Sequence, residues 1–365
     1  MPVDGRGGTT RPTARTTTGE SPDGPGTAAS RPQRRSQPAR PRFRSIADGA
    51  ATDNSAAVGP LPWQTTLACP NIRADRGTCM SSNWSVHSAY SDPGRHRALL
   101  AELRGEVPRI CAAARNVIAH YRIELPELPP ARHDEIHSRW LEAILELDQE
   151  RHPEPLATPR ATAEKVAGCC RDHVLFVVGA LRDRGVAARS RVGFASYLTE
   201  GYFLDHVVVE YRTGDRWRRV DPEFAPGSVE FDVEDMPTGP TAPFRTAAQA
   251  WLAHRSGETD AELYRVLPES ELGGPGFIRD CVVTELAHRQ KDELLLWDAW
   301  GDVAHQVDDP LVDELADLLV QADAGDDTAE RELARRYRDD PRLHPGDVIT
   351  QYSPYGQPPR VVRLR

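Results

Sequence analysis

Residues 168–185 read GCCRDHVLFVVGALRDRG, and this stretch decides the fold. Its apolar block, 174–181, shows no period of two, which argues against a strand. The block ends at a charged turn, with Gly185 at the position where glycine commonly terminates a helix. A helix that is apolar on all sides is buried. We therefore expect a central helix that begins near Cys170 and lies inside the protein.

The segments after this helix change to strand patterns. Residues 188–194 and 206–212 predict two strands, and residues 216–220 predict the hairpin partner of the second strand across a turn at 213–215. A helix followed by antiparallel strands indicates an α+β fold rather than a doubly wound parallel sheet.

Helical patterns flank this core on both sides. Apolar residues between Leu99 and Tyr121 recur at roughly helical spacing, and residues 134–147 predict a second helix before the core. After the core we expect helices at 247–256, 278–288, 311–322 and 328–338, and then a Pro- and Arg-rich end.

The first 79 residues differ in composition from the rest of the 365-residue chain. They contain 10 Pro, 9 Gly, and 11 Arg against 6 acidic residues, in a chain whose net charge is −10. Such a segment cannot bury enough apolar surface to offset its ordering entropy. We predict a disordered basic extension over 1–79, or a translation start at Met80. After this extension we predict a folded domain over 80–325 and a charged C-terminal tail over 326–365.

Composition argues against several classes of protein. The longest uncharged apolar run has 8 residues, whereas a membrane span needs about 20. The acidic balance argues against a nucleic-acid binder, because phosphate affinity comes from clustered Lys and Arg. The 6 cysteines lack a paired spacing, which indicates free thiols in a reducing cytoplasm. The chain has only 2 Lys, as is typical of a GC-rich genome such as that of an actinobacterium.

Three residues point to thiol chemistry. Cys170 lies at the predicted N-terminus of the buried helix, where partial positive charge lowers a thiol pKa and free N–H groups can stabilise an oxyanion. His206 opens one strand of the predicted hairpin and Asp221 closes the other, so both lie at the same end of the hairpin. An imidazole beside a thiol can take its proton, and a carboxylate beyond the imidazole orients the ring.

The order of these motifs resembles that of the transglutaminase-like superfamily. The family shows Gly-x-Cys, then a helix with an arginine- and glycine-rich end, then His-x-Trp-x-Glu and Trp-x-x-Val-Asp-Pro. The matching segments here are 168–170, 181–189, 206–210 and 217–222, with Val208 in place of the family's Trp.

The resemblance implies a papain-like α+β core, in which a central helix packs on an antiparallel sheet and further helices lie before and after it. It implies that Cys170 is the nucleophile, His206 the general base and acid, and Asp221 the residue that orients the imidazole. It implies no particular substrate, because the family includes proteases, peptide:N-glycanases, amide-forming acyltransferases and inactive relatives.

Four further side chains could either contact the substrate or pack in the interior. We predict substrate contacts at four side chains near the expected cleft: Trp140, His173, Trp297 and Trp300. A metal site formed by Cys169, Cys170 and His173 is the alternative for the double cysteine. Adjacent cysteines do not match the usual spacing of zinc ligands, so we expect no metal and no cofactor.

The sequence therefore predicts a thiol-dependent enzyme that acts on an amide or ester carbonyl of a small molecule or peptide, by hydrolysis or transamidation. One alternative is a non-catalytic module that binds a ligand or protein on the same fold. Another is an amide-forming tailoring enzyme of small-molecule biosynthesis. We expect neither a nucleic-acid nor a membrane partner.

Overall fold

The computed structural model describes residues 83–103, 105–300 and 307–365. The extension predicted over 1–79 and the start predicted at Met80 lie outside the described residues. None of the helices in the described part combines the length and the apolar character that a membrane span needs.

The part before the central helix contains α1 (Arg97–Glu102), α2 (Val107–Val117), β1 (Ile118–His120), α3 (Leu141–Arg151) and β2 (Val166–Gly168). The helical spacing predicted through Tyr121 is wrong beyond Val117, because the backbone becomes extended there and β1 pairs with β2 in parallel. The helix predicted over 134–147 is split, since Pro130–His137 forms a 3-10 helix and α3 begins only at Leu141.

The predicted central helix is α4 (Cys170–Asp183), and every residue of it except the last is buried. Gly185 follows it with a φ of 71°, which confirms the predicted helix end. Arg182, near that end, is buried, and it forms an ion pair with Glu293 at 2.7 Å. The apolar surface of α4 therefore explains its place in the centre of the core.

The strands predicted after α4 form one sheet. Its members are β3 (Ala188–Ala195), β4 (Phe203–Thr213), β5 (Arg216–Val220) and β6 (Phe244–Thr246). The order is β5-β4-β3-β6, the pairs within this order are antiparallel, and α4 packs against β3 and β4. A short strand at Tyr264–Arg265 joins the same sheet and pairs with β4 in parallel. The predicted hairpin of β4 and β5 and the α+β fold class are both confirmed.

The remaining elements follow β6 in the chain. They are α5 (Ala247–Arg255), β7 (Tyr264–Arg265), α6 (Gly274–Arg289), β8 (Asp298–Ala299), α7 (Asp309–Asp323), α8 (Asp327–Asp339), β9 (Val348–Gln351) and β10 (Arg360–Arg363). All four helices predicted after the core are present.

Residues 326–365, predicted as a charged tail, are folded against the rest of the protein. Leu333 and Tyr337 of α8, together with Leu343 and Ile349, are buried in the same apolar core as α4. Strands β8, β9 and β10 form a second antiparallel sheet. Most of the charge of α8 lies on its outer face, where it does not oppose packing, and the buried Glu330 is paired with Arg289 at 2.6 Å.

A group of buried charges joins the main sheet to the C-terminal helices. Arg191 of β3 contacts Glu210 of β4 at 2.7 Å, Glu285 of α6 at 2.7 Å and Asp323 of α7 at 2.6 Å. Arg289 of α6 also contacts Asp323, at 2.7 Å. We call these five residues the arginine cluster.

Candidate active site

The loop before α4 places Cys170 as the first residue of the helix. The backbone N–H of Cys169 donates to the Asp172 carboxylate at 2.9 Å, and this bond closes the helix end. A Cβ at Gly168 would lie 2.8 Å from that carboxylate and 2.9 Å from the Ile118 side chain. Any side chain at position 168 would therefore collide with its neighbours. Because Asp172 caps the helix that begins at Cys170, this restriction falls two residues before the cysteine and accounts for the Gly-x-Cys spacing.

His206 and Asp221 come together across the hairpin. The β4–β5 register pairs Val209 with Val220, so Asp221 follows β5 directly and lies beside the start of β4. The Nε2 atom of His206 lies 2.8 Å from Oδ2 of Asp221, and both side chains are buried. The predicted neighbourhood of these two residues is present in the structure.

Each member of this pair shifts the pKa of the other. Burial by itself lowers the pKa of His206, but the nearby charge of Asp221 and the hydrogen bond to it raise the pKa above its ordinary value. Burial raises the pKa of Asp221, but His206, together with hydrogen bonds from Tyr197 and from the backbone of Glu223, lowers it below its ordinary value. The imidazole is therefore a stronger base than a free histidine.

Cys170 lies next to this pair. Its sulfur, a ring nitrogen of His206 and a carboxylate oxygen of Glu223 all lie within 4.8 Å of one another. Because Nε2 of His206 is bonded to Asp221, Nδ1 is the ring nitrogen left to accept a thiol proton. The Cys170 side chain is buried, with 6% of the residue exposed.

The pKa of Cys170 differs from the sequence expectation. A helix N-terminus was expected to lower it, but hydrogen bonding with the Cys169 side chain and burial raise it well above its ordinary value. The charges of Glu223 and Asp205 act in the same direction. The expectation of a lowered pKa is wrong, because the sulfur is removed from water among acidic neighbours. The thiol is therefore neutral at rest.

Two residues at the site were missed by the sequence reasoning. The hydroxyl of Tyr197, in the loop after β3, donates to Oδ2 of Asp221 at 2.5 Å. Glu223 follows Asp221 by two residues, and its backbone N–H donates to Oδ1 of Asp221 at 3.1 Å. The alternation of side chains along an extended chain could have placed Glu223 on the side of Asp221. No local pattern points from Tyr197 to a residue 24 positions away.

Glu223 is held in an unusual environment. Burial is the main cause that raises its pKa to about 8; His206 lowers the pKa and Asp221 raises it. Its Oε2 atom is buried and has no hydrogen-bond partner within the described part of the chain. Arg115 of α2 holds the backbone on both sides of Glu223. Its guanidinium group donates to the carbonyl oxygens of Pro222 at 2.9 Å and Phe224 at 3.0 Å.

Comparison with known proteins agrees with this arrangement. Residues 124–222 match the family model of the transglutaminase-like superfamily. Over this segment the chain is similar to the transglutaminase-like superfamily. The segment contains Cys170, His206 and Asp221.

No curated protein matches the chain. Among solved structures, a "Putative Cysteine Protease from Cytophaga hutchinsonii" matches with 16% identity and a TM-score of 0.25. The match covers 41% of this chain and 45% of that protein, so the chain spans less than half of its length.

The four predicted substrate contacts lie in different places: Trp140 and His173 within the matched segment 124–222, Trp297 and Trp300 after it. His173 is buried in α4, and its Nδ1 bonds to the Cys169 carbonyl at 3.0 Å. Trp300 is buried and donates to the carbonyl of Arg342 at 3.3 Å. These bonds belong to the interior of the protein, so the substrate roles of both residues stay predictions.

The other two tryptophans are half-buried. Trp297 donates to Nδ1 of His137 at 3.0 Å, and its ring packs against the edge of Tyr121. Trp140 packs against the guanidinium groups of Arg139 and Arg365. Their substrate contacts also stay predictions.

The metal site considered from the sequence, formed by Cys169, Cys170 and His173, differs from the group of possible ligands that the structure brings together. Within the described residues, the group of three possible metal ligands is Cys170, His206 and Glu223. Cys169 is the N-cap residue of α4, and Nδ1 of His173 is hydrogen-bonded to the backbone carbonyl of Cys169. The two adjacent cysteines therefore have different surroundings, and Cys170 is the one that faces His206.

Proposed function

We propose that this protein is a thiol-dependent acyl-transfer enzyme in which Cys170, His206 and Asp221 act as a triad. The substrate would be an amide or ester carbonyl of a small molecule or peptide. The observation that carries the proposal is the His206–Asp221 hydrogen bond of 2.8 Å, with the Cys170 sulfur within 4.8 Å of the same imidazole. The match to the transglutaminase-like superfamily supports it.

The first half of the reaction starts from a neutral thiol. As the Cys170 sulfur attacks the carbonyl carbon, its proton moves to Nδ1 of His206, whose basicity Asp221 increases. The backbone N–H of Cys170 stands in the first turn of α4, where it has no partner within the helix, and it can donate to the oxyanion. His206 then gives the proton to the leaving amine or alcohol, and a thioester remains on Cys170.

The second half regenerates the thiol. A water molecule or an amine loses a proton to His206 and attacks the thioester carbonyl. The sulfur leaves and takes that proton back from His206. Water gives hydrolysis, and an amine gives transamidation. Asp221 stays ionised throughout and holds the ring in position.

The test uses p-nitrophenyl acetate, an activated ester that needs no specificity pocket. We expect a burst of p-nitrophenolate and an acetyl group on Cys170, located by peptide mass spectrometry. Cys170→Ala should abolish both, and His206→Ala should slow acylation by roughly 10²–10⁴-fold. Cys169→Ser keeps a hydroxyl at the helix cap and should retain the burst. Acetylation that persists in Cys170→Ala would overturn the assignment.

A second measurement separates the two outcomes of the acyl-enzyme. Glycine amide added to the same reaction competes with water for the thioester. Formation of N-acetylglycine amide in proportion to the amine favours an amide-forming enzyme, and release of acetate alone favours a hydrolase.

A non-catalytic binding module is the second candidate. The observation that favours it is the burial of the Cys170 sulfur together with its raised pKa. Such a module would give neither a burst nor an acetylated Cys170, while folding normally by circular dichroism.

A further inference from the structure

Glu223 lies beside the triad and has no part in the acyl transfer described above. It is a half-buried residue, but its Oε2 atom is buried without a hydrogen-bond partner in the described part of the chain. Buried polar atoms are normally paired, so an unpaired carboxylate oxygen next to a thiol and an imidazole calls for an explanation. A ligand bound between the three side chains would supply the missing partner.

We propose that Cys170, His206 and Glu223 form a binding site for a divalent cation of the zinc type. Sulfur, imidazole nitrogen and carboxylate oxygen are the three ligand types that zinc takes in proteins. Three protein ligands leave a fourth position for water, as in open zinc sites. The soft thiolate disfavours magnesium and calcium, which prefer oxygen ligands alone.

The distances suit such an ion after a small adjustment. The three ligand atoms lie within 4.8 Å of one another. Tetrahedral zinc, with bonds of about 2.0–2.3 Å, holds its ligands roughly 3.3–3.6 Å apart. Side-chain rotations that shorten the separations by about 1 Å would therefore complete the site, and the backbone of α4 and β4 can stay in place.

Asp221 already occupies the position of the carboxylate that commonly hydrogen-bonds a zinc-ligating histidine. Its Oδ2 holds Nε2 of His206 at 2.8 Å, so Nδ1 is the nitrogen that turns to the ion. A carboxylate behind a ligating histidine fixes the ring and increases its affinity for metal. The same contact that prepares His206 for proton transfer thus prepares it for ligation.

Binding of the ion and acyl transfer exclude each other. The ion would occupy the sulfur lone pair that attacks the carbonyl and the nitrogen that takes the proton. The binding itself does not depend on the proposed function; only its inhibitory consequence rests on it. A zinc-type cation would then be a reversible inhibitor of this enzyme.

Cobalt(II) is the probe, because a thiolate–cobalt bond absorbs in the near ultraviolet and tetrahedral cobalt has strong visible bands. The full-length protein is first treated with a chelator and then titrated with CoCl₂. We expect both absorptions to appear with one ion per chain and to disappear on addition of ZnCl₂. Cys170→Ser should remove the near-ultraviolet band.

Glu223→Gln tests the third ligand, because the amide keeps the shape and loses the charge. We expect the affinity for Co²⁺ and Zn²⁺ to fall by more than the roughly 10–100-fold that loss of an outer partner costs. Two neighbours that supply no ligand atom serve as controls, and each should change the affinity far less than Glu223→Gln does. Cys169→Ser removes the adjacent thiol, and Glu124→Gln removes an exposed carboxylate whose charge raises the pKa of Glu223.

Three results would overturn the site: no thiolate band in the unmodified protein, unchanged affinity in Glu223→Gln, or loss of the band in Cys169→Ser with Cys170 intact. Circular dichroism of each variant shows that it is folded. Since absorbance needs no substrate, a protein that binds cobalt but gives no acetyl burst would contradict the enzyme proposal alone. A metal-free burst without cobalt binding would contradict the metal site alone.

Discussion

Asp221 accepts two side-chain hydrogen bonds through the same oxygen. Its Oδ2 takes the Tyr197 hydroxyl at 2.5 Å and Nε2 of His206 at 2.8 Å, while Oδ1 takes the backbone N–H of Glu223. The ring of Tyr197 also packs edge-on against the imidazole, with 5.9 Å between the centroids. The tyrosine thus positions both members of the pair, although it does not reach the reacting atoms.

Tyr197→Phe should reveal this positioning role. Loss of a buried hydrogen bond to an ionised group should lower the free energy of unfolding by about 1.5–3 kcal/mol, measured by urea denaturation. The acetylation rate of Cys170 should fall at the same time. Tyr202→Phe, on the neighbouring turn, should change the free energy of unfolding by less than about 0.5 kcal/mol. Equal effects of the two substitutions would contradict the role of Tyr197.

The pH dependence of Cys170 alkylation follows from its raised pKa. Since the thiol holds its proton more tightly than a free cysteine, the iodoacetamide rate at Cys170 should still be rising above pH 9. Hydrogen bonding with Cys169 is the main cause, so Cys169→Ala should move the profile to lower pH. Site-resolved mass spectrometry measures both, and a plateau already reached at pH 6–7 would instead indicate a preformed thiolate–imidazolium pair.

At the scale of elements, α4 depends on one glycine in its interior. A Cβ at Gly179 would overlap the Leu141 side chain of α3 and lie 2.9 Å from the Ser91 carbonyl oxygen. The glycine lets the central helix approach the chain that precedes the core, and this contact outweighs its low helix propensity.

Gly179→Ala should therefore destabilise the protein although alanine is the better helix former. We expect a loss of about 1–3 kcal/mol from overpacking against a backbone atom. Gly276→Ala in α6, whose added Cβ would meet only the Arg279 side chain at 3.8 Å, should be neutral or stabilise by up to about 1 kcal/mol. Urea denaturation of both variants gives the comparison, and a stabilising Gly179→Ala would contradict the packing argument.

The elements that were predicted correctly are those whose structure is determined by local sequence signals. The apolar surface of α4 and the turn between β4 and β5 are local signals, and the pairing of His206 with Asp221 follows from that turn. Strand β1 was missed because its partner, β2, is about 50 residues away, and residues 118–120 continue a helical apolar spacing. Tyr197 was missed for the same reason, since only the folded sheet brings it to Asp221.

At the scale of the whole molecule, the arginine cluster joins β3 to α6 and α7. Burial alone would raise the pKa of Asp323, but Arg191, Arg189 and Arg289 lower it to about 2. A carboxylate whose folded pKa is lowered stabilises the protein above its unfolded pKa, near 4. That stabilisation is lost as the pH falls through the folded value, so it disappears between about pH 4 and pH 2.

Asp323→Asn should remove this part of the acid dependence. At pH 7 the variant should lose about 3 kcal/mol of unfolding free energy, the low end of the range for breaking a buried ion pair, because Asp323 is 21% exposed. Asp235→Asn, which breaks the exposed pair with Arg216, should cost less than about 1 kcal/mol. Denaturation curves at several pH values test this. A pH dependence between 4 and 2 that survives intact in Asp323→Asn would contradict it.

The β4–β5 hairpin also has a consequence for how this site can change over evolutionary time. His206 and Asp221 meet because a fixed number of residues separates them around one tight turn. A one-residue insertion or deletion within either strand between them would turn the catalytic side chain beyond it to the opposite face of the sheet, even if every other residue stayed the same. A length change in the turn itself can be absorbed by the loop without a change of register. In a set of related genes, alignment gaps should therefore avoid 207–213 and 216–220 and collect in the turn and in the loops outside the hairpin.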